Sequence, residues 1–221
     1  MSKERKNIFK IAIVGEAGVG KSSIVERIVR DRFIGDASST IGAAYSQYKV
    51  KDNTYQIWDT AGQERYHSLL PMYLRDSRVV LVVYDVGSKH SIERIKEHWY
   101  DFVLNNVDED CMVLLIGNKW DIIRYNHLNT AEKIAGEFAR ENDLVHLMVS
   151  AKDCTNMKTI FKEIEKYVEH HKIQQRKQNY DDAECSEEKS GLVLIDWDNL
   201  LNKDRKKNSA IASSSCGCTL Q

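Results

Sequence analysis

Gly15-Glu16-Ala17-Gly18-Val19-Gly20-Lys21-Ser22 is the stretch on which the reading of this chain turns. Its spacing is G-x-x-x-x-G-K-[ST], a phosphate loop, in which backbone N–H groups curl round phosphate oxygens and glycine lets the chain approach closely. Lys21 supplies a point charge for terminal phosphates, and Ser22 a hydroxyl for a magnesium ion. A plain glycine-rich turn is the simpler reading, and the flanks argue against it. Phe9 to Val14 is a short apolar run suited to a strand buried on both faces, and Ser22 to Arg30 has helical spacing. The helix dipole then adds positive potential at the loop.

Working outward, the same grammar repeats. Apolar runs at Val79 to Tyr84, Cys111 to Ile116 and Leu144 to Val149 alternate with helical patterns at Ser91 to Leu104, Thr130 to Arg140 and Met157 to His170. Strand alternating with helix predicts an α/β fold with a parallel, doubly wound sheet. Tyr45 to Val50 and Thr54 to Trp58 flank the turn residues Lys51, Asp52 and Asn53, which predicts an antiparallel hairpin added to that sheet. The pattern fails after about Ile173, and Gln174 to Lys189 is polar with little to bury. One domain over residues 8–173 and a flexible tail over residues 174–221 follow, a size that one hydrophobic core can fill.

Composition narrows the class. The 221 residues carry 32 basic and 33 acidic side chains, a net charge of -1, so no general field favours nucleic acid. The five cysteines have neither zinc-ligand spacing nor the density of a disulfide scaffold, which points to a reducing cytosol. Ile11 to Val14 is too short for a signal-peptide core, and Ser2 excludes N-myristoylation.

The base is read elsewhere. Gly117-Asn118-Lys119-Trp120-Asp121 follows an apolar strand, at the carboxyl end of the sheet where ligands bind. A carboxylate at Asp121 accepts from both the ring N–H and the exocyclic amine of guanine. Adenine lacks that donor pair and would leave the carboxylate unsatisfied.

With Trp58-Asp59-Thr60-Ala61-Gly62-Gln63-Glu64, the chain resembles the Ras-like small GTPases of the P-loop NTPase class, from Phe9 to about Ile173. Thr40-Ile41-Gly42-Ala43-Ala44 and the run from Trp58 to Ser77 resemble the Rab branch of membrane-traffic regulators, and its endosomal group in particular. The resemblance implies a mostly parallel six-stranded sheet with helices on both faces. It implies a switch that binds GTP or GDP with Mg2+, hydrolyses GTP slowly, and works as a monomer on the cytoplasmic face of endosomal membranes.

Residue roles implied by the resemblance are specific. Gly15 to Ser23 would hold the phosphates, with Lys21 and Gln63 catalytic, Gln63 orienting the attacking water. Ser22, Thr40 and Asp59 would serve the metal, and the Gly62 amide the γ-phosphate. Phe33 would stack on the base, Asn118, Lys119 and Asp121 would hold it, and Ser150-Ala151-Lys152 would form the second base loop, with the Ala151 amide on the guanine oxygen. Tyr45, Trp58 and Tyr73 resemble the aromatic triad that Rabs offer to effectors, and packing between switch and hairpin serves them equally well. No arginine stands in cis as a finger, so turnover on the order of 10⁻⁴ to 10⁻² per second is expected until a partner supplies that charge. Ala17 stands where Ras has glycine, and its methyl beside Gln63 should slow hydrolysis modestly.

The chain ends Cys216-Gly217-Cys218-Thr219-Leu220-Gln221, whose last four residues have the C-a-a-X prenylation form. Rab resemblance implies geranylgeranyl on Cys216 and Cys218. A single farnesyl on Cys218 with acylation of Cys216 fits as well, because the pair is not terminal. Lys203 to Lys207 is either a basic patch for an anionic leaflet or a solvated charge run. Leu192 to Ile195 with Trp197 either resembles the motif that Rabs offer to their prenylation escort and dissociation inhibitor, or folds back on the domain. An exchange factor, a GTPase-activating protein and effectors complete the implied partners. An adaptor that binds GTP without hydrolysis, and a small-molecule kinase, are the competing classes. Gln63 and Thr40 argue against the first, and the absence of a long lid insertion against the second.

Overall fold

The computed structural model of the chain describes residues 7–35, 38–123 and 130–189. Six strands form one sheet in the order β2-β3-β1-β4-β5-β6. They are β1 (Asn7–Val14), β2 (Ala43–Val50), β3 (Asn53–Thr60), β4 (Val79–Asp85), β5 (Met112–Asn118) and β6 (Val145–Met148). Every neighbouring pair is parallel except β2 with β3, as the apolar runs and the hairpin signal predicted. The hairpin turn is tighter than expected, because Asn53 already belongs to β3 and pairs with Val50. Lys51 alone takes a left-handed conformation to close it.

Successive strand residues point to opposite faces, and the two cores show it. Ile11 and Ile13 pack with Ile24 and Val25 of α1 (Lys21–Arg30) and with Met157, Ile160, Ile164 and Val168 of α6 (Met157–Lys189). Ala12 and Val14 face the other way. They meet Leu70 and Leu74 of α2 (Leu70–Leu74), Ile92 of α3 (Lys89–Arg94), Val103 of α4 (Tyr100–Leu104), and Ala135 and Phe138 of α5 (Thr130–Glu141). Helices therefore cover both faces. Ile164 is fully buried, so cutting it back to alanine costs about 2–5 kcal/mol.

Three segments differ from the sequence reading. Residues 91–104 were expected as one helix, but a π-helical turn at Ile95–Trp99 separates α3 from α4. That widened turn seats the fully buried Trp99, whose indole N–H donates to Glu16 of the phosphate loop at 2.9 Å. Between β3 and β4, where no helical spacing was read, the chain forms a 3-10 helix, Glu64–Leu69, and α2, because Leu70 and Leu74 share one buried face. Finally, the backbone of α6 stays helical to Lys189 instead of giving way to a linker after about Ile173. Gln174 to Lys189 is rich in good helix formers, and extending an existing helix needs no new nucleus. The chain divides into two units between residues 169 and 170. Cys216, Cys218, Leu192 to Ile195 and Lys203 to Lys207 lie outside the described residues.

Candidate functional site: a phosphate loop, a hydroxyl pair and a base loop

The carboxyl ends of the parallel strands open into a cavity of about 390 Å3. Ala17, Gly18, Gly20, Lys21, Ser22 and Ser23 line one end, Phe33, Thr40, Gly62 and Gln63 the flank, and Asn118, Lys119, Asp121, Ala151 and Lys152 the other end. Gly15, Glu16, Val19, Asp59 and Ser150, also expected at the site, are not among the residues that line the cavity. The sequence reading did not name Gly35, Ser38, Ser39, Thr60 and Ile122, which also line it. The hydroxyl run Ser38-Ser39-Thr40 was the available signal for two of these.

The phosphate end is set by the turn from β1 into α1. Gly20 opens the helix in the left-handed region, at φ 94, and a Cβ there would lie 2.3 Å from Asn118 Nδ2. Only glycine lets these two loops touch. Lys21 is nearly buried, and its ammonium donates to the carbonyls of Gly15 and Glu16, each at 2.8 Å. Burial pushes its pKa down to about 8, against the attraction of Asp59 and Glu16. The Glu16 side chain turns away from the cavity and accepts from Trp99 and from Arg94 Nε at 3.2 Å, so only its backbone serves the loop.

Ser22 Oγ and Thr40 Oγ1 lie 2.8 Å apart, beside a carboxylate that is almost wholly buried. That carboxylate, Asp59, is pushed up by burial and held back by hydrogen bonding from Ser22, by the charge of Lys21 and by Thr40. Its Oδ1 has no hydrogen-bond partner. Two hydroxyls and an orphaned carboxylate oxygen are hard donors of the kind a small divalent cation takes. The second loop is tied to the first by Ala61 N–H donating to the Gly42 carbonyl at 2.8 Å. Gly62 comes so near the phosphate loop that a Cβ would lie 2.5 Å from Ala17 N.

At the base end, Asn118 Nδ2 donates to the Val19 carbonyl at 2.9 Å, joining loops 99 residues apart. Asn118 Oδ1 accepts from the Ala151 amide at 3.2 Å, and Asp121 Oδ1 from Ser150 Oγ at 2.7 Å. Lys119, in a left-handed conformation, reaches Asp85 at the end of β4, with Nζ 2.7 Å from Oδ2. Tyr45, Trp58 and Tyr73 do not line the cavity and form one aromatic cluster, with ring centroids 5.3 Å apart for the edge-on first pair and 5.4 Å for the tilted second.

A phosphate loop and an Asn118-Asp121 base loop feeding one cavity define a guanine-nucleotide-binding domain. Residues 10–170 match the model of the Ras family, and the chain belongs to that family of small GTPases. Within the family it is similar to proteins named for Rab5 and its plant counterparts. It is 43% identical over 162 residues to "Ras-related protein Rab-5A" of Dictyostelium discoideum, covering 72% of this chain and 79% of that one. It is 42% identical over 170 residues to "Ras-related protein RABF2a" of Arabidopsis thaliana, covering 75% and 84%. With "Ras-related protein RABF2b" of the same plant, 37% identity extends over 211 residues, 94% of each chain. These relatives indicate a small GTPase of endosomal vesicle traffic, one that binds and hydrolyses GTP and answers to regulators and effectors.

Proposed function

We propose that the cavity holds GTP or GDP with Mg2+ and that the third phosphate orders the two loops beside it. What carries this reading is one enclosure shared by Lys21 and Ser22 on one side and Asn118 and Asp121 on the other. Gly15 to Ser23 wrap the phosphates with backbone N–H groups, and Lys21 exchanges loop carbonyls for phosphate oxygens. Ser22, Thr40 and Asp59 are the residues that hold magnesium, which when bound neutralises charge on the phosphates. Asp121 accepts two hydrogen bonds from guanine, Phe33 and Lys119 cover its faces, and the Ala151 amide meets its oxygen.

Gln63 orients a water for attack on the γ-phosphorus, with cleavage toward the bridging oxygen giving GDP and phosphate. Turnover stays slow until a GTPase-activating protein supplies an arginine. Thr40 and the Gly62 amide meet the γ-phosphate only in the GTP state, so the segments around them order and loosen with hydrolysis. Tyr45, Trp58 and Tyr73 present that difference to effectors. An exchange factor reloads the site, and an escort protein and a dissociation inhibitor handle a C-terminus lipidated at Cys216 and Cys218. Two lipids there would give durable anchoring on the cytoplasmic face of endosomes.

The test is competition of GTP against ATP for the full-length protein in magnesium, followed by hydrogen exchange of GDP- and GTP-loaded samples. Preference for GTP by several orders of magnitude and protection of the two segments by GTP are expected. Equal binding of the two triphosphates, or identical exchange in the two states, overturns the reading.

A further inference from the structure

Arg27 sits in the last turns of α1 and never enters the cavity, yet its guanidinium joins two of the segments that form it. Nε donates to the Ala151 carbonyl at 2.9 Å, and one terminal nitrogen to the Lys152 carbonyl, also at 2.9 Å. The other terminal nitrogen donates to the Asp31 carbonyl at 3.0 Å. The side chain is only 13% exposed, whereas the Asp31 carboxylate that also faces it is 86% exposed, so the carbonyls are its principal partners. Three carbonyls, each met by a different nitrogen of one guanidinium, suit the rigid fork of arginine better than the point charge of lysine.

Both segments lead straight to ligand contacts. Ala151 and Lys152 belong to the base loop, where the Ala151 amide meets Asn118 and Ser150 meets Asp121. Asp31 closes α1 in a left-handed conformation and starts the chain toward Phe33, on the same cavity. We infer that Arg27 is a positioning residue for the nucleoside, a bracket that fixes the spacing between the base loop and the root of the Phe33 segment. It thereby sets how long a nucleotide stays without touching it. The inference rests on the guanine-nucleotide reading of the cavity. Its signature is faster release from the base end, independent of what holds the phosphates.

The experiment loads the full-length chain with a fluorescent GDP and chases with unlabelled GDP, in magnesium and again in EDTA. Arg27→Met keeps the apolar stem and removes the fork, and should release GDP about tenfold faster, by the same factor in both buffers. Arg27→Lys, which reaches one carbonyl at a time, should fall between. Val168→Ala, at a buried α6 position that does not line the cavity, controls for lost stability. It should lower the melting temperature without changing release. Release from Arg27→Met and Arg27→Lys at the parent rate overturns the inference. So does an acceleration that Val168→Ala reproduces at an equal loss of melting temperature. Failure of the parent protein to retain fluorescent GDP is a different result, which removes the nucleotide reading and this inference with it.

Discussion

The Ser22 and Thr40 hydroxyls meet at 2.8 Å, so the segment that leads into β2 touches the first turn of α1 beside the orphaned oxygen of Asp59. The contact joins that segment directly to the proposed metal ligands. It follows that Thr40→Ala should lower single-turnover GTP hydrolysis by about tenfold or more. The same change should erase the difference in hydrogen exchange between GDP- and GTP-loaded protein over residues 38–44. A difference that survives the substitution would show that another residue holds the loop.

Gly62 lies against the Ala17 backbone, and Ala17 and the next residue after Gly62, Gln63, both line the cavity. Ala17→Gly should therefore raise the intrinsic single-turnover rate by about two- to fivefold, a gain under 1 kcal/mol in the barrier. An unchanged rate removes the steric argument. Gly62→Ala should do the opposite, because its Cβ meets backbone and has nowhere to go.

Tyr45 is half exposed and leans edge-on against Trp58, which in turn packs on Tyr73. Tyr45→Ala should weaken capture of GTP-dependent partners by at least about tenfold while costing little melting temperature, since exposed aromatics at interfaces carry binding energy rather than fold stability. Equal partner recovery from parent and variant in a GTP-locked pulldown would return the triad to a packing role.

His67 stacks on His98 at 5.6 Å, with its edge toward Trp99 and its Nε2 buried without a partner. Burial and then the neighbouring His98 hold the His67 imidazole below its ordinary range. Arg94 adds to that, while Glu16 and Glu64 oppose it. Because the folded pKa is the lower one, the unfolded chain takes the proton first as the solution acidifies. The stabilisation is complete above the unfolded value of about 6.5 and is lost as pH falls below it. The melting temperature should drop between pH 7.5 and 5.5, and His98→Asn should lessen the drop. Parallel pH profiles would mean that His98 contributes nothing. His146, also lowered by burial, acts equally in both proteins and cancels in the comparison.

Much of the site was legible because its chemistry is written in contiguous runs. Gly15 to Ser22, Trp58 to Glu64 and Gly117 to Asp121 each carry their own spacing, and each sits where a strand ends. The alternation of Ile11, Ala12, Ile13 and Val14 between two cores likewise follows from strand geometry alone. The contacts that hold these runs in register were not legible. Arg27 meets a carbonyl 124 residues away and Trp99 a carboxylate 83 residues away, and a lone arginine or tryptophan on a helix carries no local sign of such a partner. The π-helical turn was hidden for the same reason, since the spacing of Ile92, Ile95, Trp99 and Val103 fits an ordinary helix.

The position of β1 in the middle of the sheet has one more consequence. On the proposed reading, the segments for phosphate and cation hang from β1 and the β2–β3 flank, and those for the nucleoside from β5 and β6. A partner that levers the antiparallel edge outward can therefore loosen one end of the ligand while the other is still seated. On the proposed reading, unloading would run as a peel, pyrophosphate first and purine last.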